Sequence, residues 1–450
     1  MRRTRRPEDV VMLRSRAKGQ SFSQDHPRSE TEAMDGAAHA GRGRYPVHDG
    51  AGPPHGAIGL VDQDVAGAVL RTARAVLCEK LDQAYAIDAV FSRDVAERLA
   101  GFTLGGGSRM RSQFIWWGMR ATTAGSQAVD VEPALRLGVA VELVQTCALV
   151  QDDVMDGSSL RRGRPAVHVD FAESPGLSCG PKLRDSFGRS AAVLLGDLAL
   201  AWADDTVAET TMRPATRQRV SAVWQAMRTE MVAGQYLDLH GQVTGTRSEA
   251  RALRTAYLKS ALYSVARPLA LGAALAGAAA DATRALSAAG RCAGLAFQIR
   301  DDLLGVFGDP GKTGKPSGGD IREGKPTCLM AVARSRAGTS RARAVLDDAL
   351  GRADLSDETL TDVRDVLVTT GACAEMEDRA DRLMKHAARH LAEAAVEPYA
   401  GNRLLGLFES VTGAGTTPSA EARAEPGPAL PTGPSSRSGA TGPAEGGTAR

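Results

Sequence analysis

The chain has 450 residues, 43% of them apolar but only 4% aromatic, and carries a formal net charge of +2 at pH 7. That apolar content can build a sizeable core, and its load falls on Ala and Leu, both strong helix formers. The near-neutral balance excludes a nucleic-acid binder that works through a global basic field.

Residues 1–57 are polar and rich in Arg, Gly, Pro and His, with no sustained apolar period. They read as a disordered basic tail, because they bury too little apolar surface to offset their ordering entropy. Residues 413–450, rich in Gly, Pro, Ser and Thr, read the same way. Between the tails, 58–412 reads as one domain. Apolar residues recur three and four apart over 63–100, 131–156, 189–209, 216–241, 248–280, 282–305 and 375–397, with almost no strand-like alternation. Gly- and Pro-bearing breaks at 103–107, 171–188 and 305–319 separate them. The expected architecture is all-α, a single large helical bundle.

The six cysteines, at 78, 147, 179, 292, 328 and 373, form no close pair of the metal-knuckle or redox type, so they read as reduced thiols. No apolar run approaches the ~20 residues a membrane span needs. The nearest, Leu269 to Ala280, is short and Ala-rich and reads as a buried helix. The arginine-rich N-terminus lacks the apolar stretch of a secretory signal. A soluble, cytoplasmic protein is expected.

Two acidic segments stand at the ends of apolar helical runs. The first is Asp152-Asp153-Val154-Met155-Asp156. At about 100° per residue, Asp152 and Asp156 lie one turn apart on the same face. Packed carboxylates repel one another, and a helix C-terminus disfavours negative charge, so a cation is called for. Mg²⁺ suits the site as a hard ion that takes oxygen ligands and is shared with phosphates. The second segment is Gln298-Ile299-Arg300-Asp301-Asp302, closing another Ala- and Leu-rich helix. Facing helices of a bundle project such side chains into a shared cavity.

Cations are placed to match. Only eight of the 55 basic residues are lysine, and four of these are Lys259, Lys312, Lys315 and Lys325, the last three directly beyond the second acidic segment. A compact ammonium is a good phosphate partner. Arg161 and Arg162 follow the first aspartates, and Arg109 and Arg111 follow Gly105-Gly106-Gly107. Together they describe a pocket for two anionic substrates. Gly311-Lys312-Thr313 imitates the end of a P-loop, but Val306 stands where that motif needs glycine, and a helix rather than a strand precedes it.

In this order and spacing, the segments resemble those of the trans-prenyltransferase family, the farnesyl, geranylgeranyl and longer polyprenyl diphosphate synthases. The likeness runs from about residue 60 to 410. Gly106 to Arg111 resembles the family's GGKRLR segment, Asp152 to Asp156 its first DDxxD, and Arg161-Arg162-Gly163 the trailing RRG. Lys259-Ser260 resembles its lysine-threonine pair, Gln298 to Asp302 its second aspartate motif, and Lys315 to Lys325 the GK…GD…GK stretch.

The resemblance implies the isoprenoid synthase fold, a homodimer, and condensation of isopentenyl diphosphate with an allylic diphosphate. It also implies a terpenoid product and most simply geranylgeranyl diphosphate. Asp152, Asp156 and Asp301 would hold Mg²⁺, three ions per site, with Asp153 and Asp302 in support. Arg161, Lys259, Lys315 and Lys325 would neutralise the allylic diphosphate, with Ser260 and Gln298 near the reacting carbons. Arg111, Gln145 and Arg162 would hold isopentenyl diphosphate. Nucleic acid and a membrane span play no part in this reading.

Three departures stand out. Ser108 replaces a lysine on the isopentenyl side, which shifts weight to Arg109; Gln145 stands where many members carry histidine; and Gly305 replaces the last aspartate of the second motif. Cys147 and Ala148, five and four residues before the first aspartate, are both small. In the family bulky residues there form the cavity floor, so a chain longer than farnesyl is expected to pass. Val144, Trp116 and Trp117 are candidates for a deeper floor. Ser108 also leaves open a cyclase on the same fold that ionises a prenyl diphosphate without elongation.

Overall fold

The computed structural model describes residues 56–123, 130–308 and 317–412, all within one compact unit. Both tails and Lys312 and Lys315 lie outside the described residues, which begin at Gly56, beside the expected domain start.

The described residues are helical apart from loops and one small hairpin. The first helices are α1 (Ala57–Gln63), α2 (Val65–Ile87), α3 (Ala89–Phe91) and α4 (Glu97–Leu104), the last two joined by a π-helical turn over Ser92–Ala96. The run expected over 63–100 is thus interrupted. Asp64 and Asp88 leave the helical region and cap the next helix, accepting from the amides of Gly67 and Phe91. Helix α5 (Met110–Thr122) is buried on almost every side, with Phe114, Ile115, Trp116 and Trp117 at most 1% exposed. Most of its apolar residues sit in one central block, Phe114 to Met119, with polar residues before and after, so no repeating apolar face marks it in the sequence.

Helix α6 (Val131–Asp156) carries the first acidic segment and pairs closely with α8 (Pro181–Glu209). Contrary to the expectation of no span-length apolar run, α6 is long and apolar enough to cross a membrane by length and composition, with a mean hydropathy of 1.4. Scattered polar residues such as Glu142 and Gln145 hide this in a search for unbroken runs. It is a core helix: 72% of that stretch is buried by its neighbours.

Between them lie a two-residue hairpin, β1 (Leu160–Arg161) with β2 (Arg164–Pro165), and α7 (Val167–Ala172). Then come α9 (Pro214–Thr244), α10 (Glu249–Ala256), a π-helical segment over Tyr257–Ala266, α11 (Arg267–Ala276) and α12 (Ala280–Phe307). Five helices follow: α13 (Gly319–Arg322), α14 (Cys328–Arg336) and α17 (Ala372–Glu393) pack on α12, while α15 (Ser340–Ala349) and α16 (Asp357–Thr369) pack on each other and on α14. The last, α18 (Pro398–Thr412), packs on α5. One apolar core gathers α2, α5, α6, α8 and α11, and a second gathers α12 with α14, α16 and α17.

Two close approaches set where the π segment lies. A Cβ at Gly294 of α12 would come within 2.6 Å of Ala261 Cα, and one at Gly234 of α9 within 2.5 Å of the Lys259 amide nitrogen. Glycine at these points lets three backbones converge on Lys259 and Ser260. Gly294→Ala gains about 1 kcal/mol of helix propensity but meets an overpacking cost of about 1–3 kcal/mol, so a net loss of stability is expected in urea denaturation. Exposed Gly101 of α4 has open space around its Cβ position, and Gly101→Ala should raise stability by about 0.5–1 kcal/mol in the same assay.

Candidate active site

A cavity of about 520 Å³ opens between the C-terminal half of α6, the middle of α9, the π segment and the end of α12. Asp152, Lys259, Ser260, Gln298, Asp301, Asp302 and Lys325 all line it, drawing together residues up to 173 positions apart.

The final turn of α6 splits its three aspartates between different surroundings. Asp152 faces the cavity and accepts from Gln235 Nε2 at 2.9 Å and Lys259 Nζ at 3.2 Å. Asp153, one residue on, points the other way, is 0% exposed and is bound by Arg161, whose Nε lies 2.8 Å from Oδ1. It therefore positions Arg161 and does not line the cavity. Asp156 has a side chain only 2% exposed and is covered by Lys325, whose Nζ is 3.0 Å from Oδ2.

The hairpin directs the two arginines. Arg162 and Gly163 both have positive φ, 54° and 72°, between the paired residues Arg161 and Arg164. Two consecutive positive φ values make the tight turn whose twist matches a hairpin. Arg161 returns to Asp152 and Asp153, while Arg162 reaches the glycine loop, where a Cβ at Gly107 would lie 3.3 Å from its guanidinium.

Helix α9 supplies two residues that sequence reasoning missed. Gln235 and Asp238 lie three apart on its buried face, and Asp238 Oδ2 accepts from Lys259 Nζ at 2.7 Å. A buried acid in mid-helix was the available signal, but no acidic cluster marked it. Asp238 and Asp152 together outweigh the effect of burial and hold the Lys259 ammonium above its ordinary pKa.

Next to Lys259, Ser260 hydrogen bonds Gln298, whose Nε2 donates to Asp302 Oδ1 at 2.7 Å. Asp301 is exposed to the cavity and Asp302 is buried behind it. The departure at Gly305 has a structural counterpart. A side chain there would collide with the Asp320 carboxylate, which lines the cavity from α13. The third acid of this wall thus comes from another element.

Arg111 marks an arginine end of the cavity, lined also by Gln145, Tyr263 and Ser264. Arg111 donates to Ser264 Oγ at 2.7 Å and lies over the Tyr263 ring at 4.6 Å, while Arg111 Nε, Gln145 Oε1 and the Tyr263 hydroxyl are buried without hydrogen-bond partners. Arg109 is not part of this end. It is 5% exposed, pairs with Glu142 at 3.3 Å and donates to the carbonyls of Thr103 and Leu104. Its φ of 50° turns it inward, so it braces the glycine loop and does not replace the lysine lost at Ser108. Cys147 and Ala148 line the cavity. Val144, Trp116 and Trp117, expected as a deeper floor, do not; Trp116 Nε1 instead donates to Asp62 at 2.7 Å.

The charges explain what the acidic wall requires. Burial pushes the Asp152 carboxyl up, but Lys259, Lys325 and Arg161 outweigh it and hold it below the ordinary range. Burial raises Asp156 more than Lys325 lowers it, and burial with nearby Asp320 raises Asp302 far more. Asp156 Oδ1 is also buried without a partner. Such a surplus of hard oxygen donors and incompletely compensated charge fits Mg²⁺. Among the described residues no three Asp, Glu, His or Cys side chains converge to hold an ion unaided, as suits an ion that takes one or two carboxylates and completes its shell with phosphate and water.

The sequence model of the polyprenyl synthetase family matches residues 94–367, which include both acidic segments. The chain belongs to this family of trans-prenyltransferases. The polyprenyl synthetase match is supported by individual relatives. A geranylfarnesyl diphosphate synthase of Aeropyrum pernix is 30% identical over 69% of this chain and 92% of its own length. A short chain isoprenyl diphosphate synthase of Methanothermobacter thermautotrophicus is 34% identical over 51% of this chain, but the match spans only 65% of that relative. The crystal structure of a geranylgeranyl pyrophosphate synthase from Corynebacterium glutamicum, complexed with isoprenyl diphosphate and magnesium, superposes with a TM-score of 0.72 at 34% identity. That alignment covers 76% of this chain and 98% of the other. Polyprenyl synthetase architecture thus accounts for the all-α bundle of the isoprenoid synthase type.

The raised Asp302 yields a stability prediction. An acid whose folded pKa lies above its unfolded value loses stability as pH rises through that interval. Asp302→Asn keeps the acceptor for Gln298 and removes the buried charge, so the metal-free variant should gain about 1–3 kcal/mol at pH 7. The gain should disappear below the ordinary carboxylate value of 3.8, and denaturation in EDTA at pH 7 and pH 3.5 measures both.

Proposed function

We propose that this chain joins isopentenyl diphosphate to an allylic diphosphate, giving a trans-prenyl diphosphate with geranylgeranyl diphosphate, C20, as product. One observation carries the reading: a single cavity is lined both by the acids and lysines Asp152, Asp301, Lys259 and Lys325 and by a separate group of Arg111, Gln145 and Ser264. Condensation needs two diphosphates held apart with their carbon chains facing each other. Asp152, Asp156 and Asp301 would hold Mg²⁺, three ions shared with the allylic diphosphate. When bound, the metal supplies positive charge to the departing diphosphate. Lys259, Lys325 and Arg161 add fixed positive charge, and Arg111 with Gln145 would orient the second substrate. Arg162 is proposed as a further contact of that substrate from the glycine loop, although it does not line the cavity itself. The cyclase alternative gains no support from the relatives, whose names are those of synthases.

The names of those relatives do not agree on product length, so the C20 assignment rests on Cys147 and Ala148. Both are small and line the cavity. Purified protein with Mg²⁺, isopentenyl diphosphate and dimethylallyl, geranyl or farnesyl diphosphate should release C20 diphosphate, and Ala148→Phe should shorten it to C15. Hydrocarbon or alcohol formed from the allylic substrate alone would overturn the condensation. Unshortened products from Ala148→Phe would overturn the floor.

A homodimer is proposed through α8. Leu183, Phe187 and Leu194, spaced by four and seven residues on one face, are 61%, 44% and 63% exposed. Leu194→Glu should move the mass in sedimentation velocity from dimer towards monomer; an unaltered dimer would place the interface elsewhere.

A further inference from the structure

The two cavity lysines share one arrangement. Lys259 bridges Asp152, at 3.2 Å, and Asp238, at 2.7 Å. Lys325 bridges Asp156, at 3.0 Å, and Glu323, with Asp320 at 3.8 Å. Each ammonium therefore touches one aspartate of the first acidic segment and at least one acid outside it. Asp156 is also sealed: its side chain is 2% exposed, and it does not line the cavity, whereas Lys325 does. A cation arriving from the cavity cannot reach Asp156 while Lys325 remains on it.

We propose that Lys259 and Lys325 are resting counter-ions that occupy Asp152 and Asp156 until metal and diphosphate enter together. Asp238 and Glu323 are then positioning residues. They keep each ammonium at the cavity wall when its aspartate is given up to the metal, so the freed charge meets the incoming diphosphate without crossing solvent. The inference rests on the diphosphate chemistry proposed above and adds an order of events. A divalent ion alone must compete with a lysine for each carboxylate. An ion that arrives with diphosphate offers each displaced lysine a new anionic partner, so the two ligands assist each other.

The test uses Mn²⁺ as a spectroscopic probe, titrated without any diphosphate and followed by electron paramagnetic resonance. Lys325→Met removes the competing charge at nearly constant length. It should bind Mn²⁺ about tenfold more tightly than the wild type, since a contact ion pair no longer opposes entry. Lys259→Met should behave alike at Asp152. In calorimetry, Mg²⁺-dependent binding of inorganic pyrophosphate should weaken in both variants. Arg164→Met, which removes a positive charge from the exposed end of the hairpin, is the control for net charge. Unchanged or weaker Mn²⁺ binding in both lysine variants, with cooperative unfolding retained, overturns the proposal. So does an equal gain in Arg164→Met. The titration contains no prenyl substrate, so its failure is distinct from failure of the elongation assay, which tests the function by itself.

Discussion

Asp152 is the point on which the site turns. It ends a core helix, yet its carboxylate is reached by Gln235 from α9, Lys259 from the π segment and Arg161 from the hairpin. A partly buried charge at a helix C-terminus is unfavourable in both desolvation and dipole. These three partners offset that cost, and in doing so they fix four elements relative to one another. The same carboxylate is the one expected to give up its lysine when a metal arrives. Under the proposed function, assembly of the bundle and loading of the site are coupled through this one side chain.

The rest of the acidic wall is not balanced in this way. Asp156 and Asp302 are held above the ordinary carboxylate range because burial exceeds the compensation available. Burying these carboxyls without full compensation costs stability. The close packing at Gly234 and Gly294 supplies part of what keeps the walls in place, by letting α9 and α12 approach the π segment at backbone distance.

Much of this was legible in the sequence because it is local. Asp152, Asp153, Asp156, Asp301 and Asp302 are adjacent in sequence and abnormal at helix ends, and scarce lysines are conspicuous in an arginine-rich chain. What remained hidden depends on three-dimensional placement. Asp238 is a solitary acid whose meaning comes from facing Lys259. Asp320 answers for Gly305 only because α13 folds back against α12. Arg109 and Arg111 are equivalent in spacing, but a positive φ turns the first towards Glu142 while the second reaches the cavity. The long helices followed the apolar period, but α5 and the shorter α14, α15, α16 and α18 were not among the runs it marked.

The π winding of Tyr257–Ala266 has a consequence for how this site can change. Lys259 and Ser260 belong to the acidic wall, whereas Tyr263 and Ser264 belong to the arginine end. One segment therefore spans both halves of the cavity, and its i→i+5 winding sets the angle between them. Deleting a single residue inside it would restore ordinary α winding and swing one pair away from the cavity while the other stayed. The relative placement of these two pairs of cavity residues is thus encoded in chain length within ten residues, so insertions and deletions there alter it more readily than substitutions do.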